Sequence, residues 1–165
     1  MSQIASVTTK KLLNVLATSP GVPEAVAALI SADSLVLPAI SVPQIVGQNV
    51  AADVAEKSIS SKYPLIYVYC SKITNAQREK FRNFSGDAEM VVEARVSQDR
   101  LDGIESHLHA YVDAITQVLN AKRGDWGDGV FYTGGYEVSF AGVKHGGRNF
   151  IQIARVSFAL EISAD

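Results

Sequence analysis

At 165 residues the chain has room for one domain with a real core. Its 47% hydrophobic and 19% charged composition is that of an ordinary globular protein. A formal net charge of −2 supplies no general drive toward nucleic acid or an anionic membrane, so any electrostatic role must come from local patches. Cys70 is the only cysteine, which excludes an intrachain disulfide and a Cys-rich zinc site. It ends the apolar run Leu65-Ile66-Tyr67-Val68-Tyr69 and reads as a small strand residue. The N-terminus lacks a continuous apolar run, and Lys10 and Lys11 interrupt the next stretch, so no signal peptide is expected. No apolar stretch approaches the ~20 residues that cross a bilayer. The expected compartment is a reducing cytoplasm, or a particle assembled there.

In chain order, Val7, Leu12, Leu13, Val15 and Leu16 fall at helical spacing, with Thr8 and Thr9 as caps. Ser19-Pro20-Gly21 stops that helix, and Pro23 suits the first turn of a second short one. Residues 34–49 are apolar but irregular, with Pro38 and Pro43 blocking a helix. Such a segment should pack over its own domain or over a neighbouring subunit. A short helix is expected over 51–59.

Residues 65–71 form the first clear strand. A basic loop over 72–85 comes next, carrying Lys72, Arg78, Lys80 and Arg82 with Phe81 and Phe84 interleaved. Residues 88–97 then alternate: Met90, Val92, Ala94 and Val96 on one face, Glu89, Glu93 and Arg95 on the other. Asp99 is positioned to cap a long helix ending near Lys122, whose stripe is Leu101, Ile104, Leu108, Val112, Ile115 and Leu119. Gly124 stops it. A glycine-rich loop over 124–129 leads into a strand over 130–142, broken at Gly134-Gly135. Residues 144–149 form a hairpin turn. The closing strand changes phase between Ile151, Ile153 and Val156, Phe158, Leu160, Ile162, which predicts a bulge or an end buried on both sides.

Together these predict a single α+β domain over 1–165, helical or irregular over 1–60 and a sheet–helix core over 61–165. The expected architecture is a mostly antiparallel four-stranded sheet packed on one long helix, with short N-terminal helices.

No catalytic constellation converges. His107 and His109 point about 200° apart around a helix and cannot chelate one metal, and His145 lies in a distant turn. Asp87, Glu93 and Arg95 loosely match the strand carboxylates of metal-dependent nucleases, but an arginine stands where a lysine would position water. A polar sheet face explains the same residues. The glycines match no phosphate loop. The basic loop could stack nucleic acid or dock a neighbouring protein, with the acidic Asp99, Asp102 and Glu105 as a complementary surface on an identical subunit. Trp126, on the glycine-rich loop, is either an interface anchor or folded back on the sheet edge.

The order of elements resembles the tail-completion or tail-terminator (neck) proteins of tailed bacteriophages. It rests on Tyr63-Pro64-Leu65-Ile66-Tyr67-Val68, a charged strand ending Glu93-Ala94-Arg95-Val96, the helix with its stripe from Leu101 to Leu119, the closing strand over 151–162, and the short helices ahead of the sheet. It covers about the last two-thirds of the chain and is one of pattern, without a diagnostic motif. The resemblance implies a virion subunit, assembled in the host cytoplasm, that forms a ring, commonly a hexamer. The ring caps the tail tube and joins it to the head connector, with genomic DNA passing through its lumen, and needs no catalysis, cofactor, metal or membrane. Subunit and partner contacts map by pattern onto the loops over 72–85 and 124–135 and the hairpin over 143–149. The contact residues are Arg78, Lys80, Phe81, Arg82, Phe84, Trp126, Lys144 and Arg148. Glu89, Glu93, Glu137 and Glu161 are the expected acidic lining of a lumen, letting DNA slide without sticking. The rival readings are a metal-dependent nuclease or nucleic-acid-binding protein using Asp87, Glu93, Arg95 and the basic loop, and a ligand-binding or adaptor domain using the glycine-rich loop.

Overall fold

A computed structural model describes residues 3–51 and 62–165. Two helices, α1 (Ile4–Ala17) and α2 (Val22–Asp33), open the chain. The break between them is Ser19-Pro20-Gly21, and Glu24 starts α2 by accepting a hydrogen bond from the Gly21 N–H at 2.9 Å. That bond holds the Glu24 carboxyl below its ordinary range. The sheet strands are β1 (Ile45–Val46), β2 (Leu65–Asn75), β3 (Phe84–Gln98), β4 (Gly124–Gly127), β5 (Val130–Tyr132), β6 (Glu137–Phe140), β7 (Lys144–Gly146) and β8 (Asn149–Ala164). The long helix α3 (Ile104–Ala121) joins β3 to β4.

The expected four-stranded, mostly antiparallel sheet is corrected: the sheet has eight strands, is mixed, and curls into a half-barrel. Its order is β1-β2-β3-β8-β5-β4, with β6 and β7 also on β8. β1 runs parallel to β2, pairing Ile45 with Ile66 and Val46 with Tyr67. The other pairings are antiparallel. β5, β6 and β7 succeed one another along the side of β8 away from β3 with a shifted register at each break, and Gly134-Gly135 and Gly142 lie at the breaks. The phase change in β8 is not a bulge against β3, because that register runs unbroken from Phe84↔Ala164 to Gln98↔Phe150. Instead Ile151, Gln152, Ile153 and Ala154 are all buried, so both faces of the strand are covered there.

One face of the sheet carries the core. Ile66, Val68, Met90, Val92, Val156 and Leu160 pack against Leu108, Ile115 and Leu119 of α3 and against Leu12 and Leu16 of α1. α3 begins at Ile104 rather than at Asp99. Gly103, at φ +80°, occupies the cap position, and the Gln98 amide bonds the carbonyls of Arg100 and Asp102 instead. Leu101 therefore lies ahead of the helix and is 58% exposed.

The segment Ile4–Asp33 is, by length and composition, apolar enough to span a bilayer, contrary to the sequence expectation. In the fold it is split into two helices, with Leu12, Leu16, Val22 and Val26 buried in the core. Lys11 ties α1 to the glycine-rich turn, donating to the Trp126 carbonyl and pairing with Asp128, both at 2.8 Å. That turn needs Gly129: its φ is +73°, and a Cβ there would meet the Ser163 carbonyl oxygen at 1.9 Å.

The irregular segment after α2 packs partly on its own domain. Ile40, Gln44 and Ile45 are buried, and the Tyr111 hydroxyl donates to the Pro38 carbonyl at 2.6 Å. Val36 is 91% exposed. The short helix expected over 51–59 lies, past Ala51, outside the described residues.

Candidate functional site: a projecting arm and the outer face of the sheet

The basic loop expected over 72–85 is shortened at both ends: 72–75 and 84–85 are strand, and 76–83, with Arg78, Lys80, Phe81 and Arg82, remain loop. β2 continues to Asn75 and β3 begins at Phe84; this hairpin, the arm, has an exposed turn over 76–83 and an irregularity between Cys70 and Lys72. The tip is held by local bonds. The Asn75 side-chain oxygen accepts from the backbone N–H groups of Gln77 and Ser85, and Ala76 N–H donates to the Ser85 carbonyl. Arg78 forks onto Asp87 at 3.1 and 2.5 Å. Arg82 reaches Asp165 at 2.5 Å and Glu79 at 3.5 Å. Lys72 pairs with Glu89 at 3.5 Å. Most of the arm's cationic charge is thus locally matched; Lys80 alone among its basic residues has no ion pair among the described residues.

The two phenylalanines separate. Phe84 is buried in the core, which removes it from the expected contact set: as the first residue of β3 it points to the helix-covered face. Phe81 is 95% exposed at the tip. Trp126 is half-buried and folds back against the core, one of its two expected placements. Its indole N–H donates to the Lys122 carbonyl at 2.7 Å, and its ring lies 5.5 Å from that of Tyr132, so it closes the C-terminal end of α3. Lys144 and Arg148 are exposed in and beside β7, where the His145 ring meets Phe150 edge-on.

The register brings the predicted acidic residues to one face. Asp87 pairs with Glu161, Glu93 with Arg155, Glu89 with Ala159 and Glu137 with Ser157, so all these carboxylates project from the side opposite the helices. Glu89, Glu137 and Glu161 are exposed. Glu93 is not: it and Arg95 are each only 2% exposed, which corrects its expected place in a solvated lining. Arg95 lies 3.2 Å from Glu93 Oε2, Arg155 lies 3.1 Å from Oε1 without hydrogen-bond alignment, and the Arg95 guanidinium stacks 4.3 Å over the Tyr67 ring. Arg95 also donates to the Val50 carbonyl. At this end of the outer face Val46, Val50 and Tyr63 pack on Leu65 and Tyr67. Burial, then the Glu93 charge, pushes the Tyr69 hydroxyl pKa up.

Glu93 lies between two arginines, whose charges disfavour a divalent cation beside it, and no cluster of three or more His, Cys, Asp or Glu able to hold a metal occurs among the described residues. The histidines do not converge: His109 packs edge-on to Phe140, and His107 borders a pocket. Cys70 is half-buried, and burial raises its thiol pKa. It lines an open groove between α1 and the edge of β2.

The pocket beside His107 leaves no signal in the sequence pattern. It is an apolar recess of about 110 Å³ between the start of β2, the end of β3 and α3, lined by Pro38, Tyr63, Pro64, Val96, His107 and Tyr111. Next to it Leu101, Asp102 and Glu105 form an open acidic concavity. Comparison with known protein families and with curated proteins gave no sequence match to this chain.

Proposed function

We propose that the chain is a structural subunit that assembles into a ring in the neck or tail of a tailed bacteriophage, as a tail terminator or completion protein. Six copies would close on the end of the tail tube, join it to the head connector and leave a lumen for genomic DNA. The observation that carries this reading is the β2–β3 hairpin: apart from Lys80 its basic residues are matched locally, and its exposed turn presents a phenylalanine. A surface built this way suits a protein contact better than a nucleic-acid groove, where unpaired cations would face phosphates. Exposed Val36 and Val42 add apolar surface of the kind that subunits cover. The acidic outer face, with Glu89, Glu137 and Glu161, is the lining that would let DNA slide.

Negative-stain imaging of the protein alone and with tail-tube protein tests the proposal. Closed rings, free or seated on tube ends, are expected. Mg²⁺-dependent cleavage of DNA by the wild type, lost on Glu93→Gln, would replace it with the nuclease reading. A Glu93 carboxylate buried between Arg95 and Arg155 predicts no such activity.

A further inference from the structure

Resting on that self-assembly reading, we infer that Phe81 of one copy inserts into the Pro38–Tyr63–Tyr111 recess of the next, making a head-to-tail contact. Knob and hole lie at opposite ends of one strand. The arm tip continues past Phe84 at the start of β3, whereas Val96 and Ser97 line the recess at its end. At roughly 3.3 Å per residue these ends are about 40 Å apart, so a chain cannot fill its own recess. An apolar cavity of about 150 Å³ holds a benzene molecule. A recess of about 110 Å³, open to solvent on one side, therefore takes most of a phenyl ring.

Charge selects the same pairing. Lys80, which has no ion pair among the described residues, precedes the knob and supplies the cation; Arg78 and Arg82 flank it but are engaged by Asp87, Asp165 and Glu79. Beside the hole stand Asp99, Asp102 and Glu105, none with an ion-pair partner among the described residues. Gln98 joins the two features, lining the recess while donating to the Asp102 carbonyl at 2.7 Å. The contact thus has an aromatic anchor in an apolar pocket and a rim of opposite charge. Because it uses two different patches, repetition generates a ring if the rotation closes.

Two measurements test this. Phe81→Ala, at an exposed position where folding is unaffected, should weaken self-association about 30-fold, the loss typical of an anchor residue. On a Cys70→Ser background, Phe81→Cys together with Ser97→Cys should form disulfides between copies under mild oxidation at high concentration, and neither cysteine alone should do so. Assembly that survives Phe81→Ala, with no cross-link in the paired variant, would overturn the knob-and-hole contact while leaving the ring reading standing. A wild type that never associates, again without cross-linking, would overturn both.

Discussion

Replacing Arg95 with alanine is expected to lower stability by about 3 to 5 kcal/mol, because it strands a buried carboxylate. Glu93 is 2% exposed and would keep only Arg155, whose side chain is half in water and does not align for a hydrogen bond. The substitution also removes the bond to the Val50 carbonyl and the stack on Tyr67, so the residues that cover this part of the sheet lose their tie. For a domain of this size each kcal/mol shifts Tm by about 2 to 4 °C, so a fall of roughly 6 °C or more should appear in thermal or urea unfolding. Arg155→Ala, at the exposed end of the group, should cost well under half as much. Equal and small effects would show that the Glu93–Arg95 pair is solvated.

Leu12→Ala is expected to cost about 2 to 5 kcal/mol, the range for emptying a fully buried leucine site. Leu12 has no exposed surface and packs with Leu16 into the same cluster as Leu108 and Leu119 of α3. The comparison is Leu101→Ala, which should change stability by no more than about 0.5 kcal/mol because that side chain is 58% exposed. The pair also tests where the N-terminal helices reside. If α1 were a membrane element detached from the sheet, Leu12→Ala would leave the unfolding of the rest of the domain unchanged.

What the sequence revealed was governed by local periodicity. The stripe Ile104, Leu108, Val112, Ile115 and Leu119 is buried as its spacing requires, and the alternation of Met90, Val92, Ala94 and Val96 faces the core. The errors arise where distant contacts decide. Asp99 is a good cap by type, yet the Gln98 amide binds the loop carbonyls and Gly103 takes the turn, so α3 starts late. Two-residue β1 sits between Pro43 and Gly47, too short to leave a periodic signal, and its parallel pairing makes the sheet mixed. Glu93 and Arg95 obey the alternation of a solvated face. Their place in the interior is marked by contacts that no local pattern shows: Arg95 donates to the Val50 carbonyl, forty-five residues away in the chain, and stacks on Tyr67. Phe81 and Phe84 look equivalent in sequence; only the start of β3 sends one inward and leaves the other at the tip.

The same distinction applies to the site. Residue type identified the basic loop, the polar strand faces with their glutamates and the possibility of complementary charge between copies. The apolar recess, assembled from α3, the end of β3 and residues 38, 63 and 64, exists only after folding.

Self-assembly stands or falls on the mass of the protein in solution. Light scattering across concentration should show a discrete oligomer, with a mass near six chains, that persists as concentration rises. A single-chain mass at every concentration, unchanged when tail-tube protein is added, would contradict ring formation.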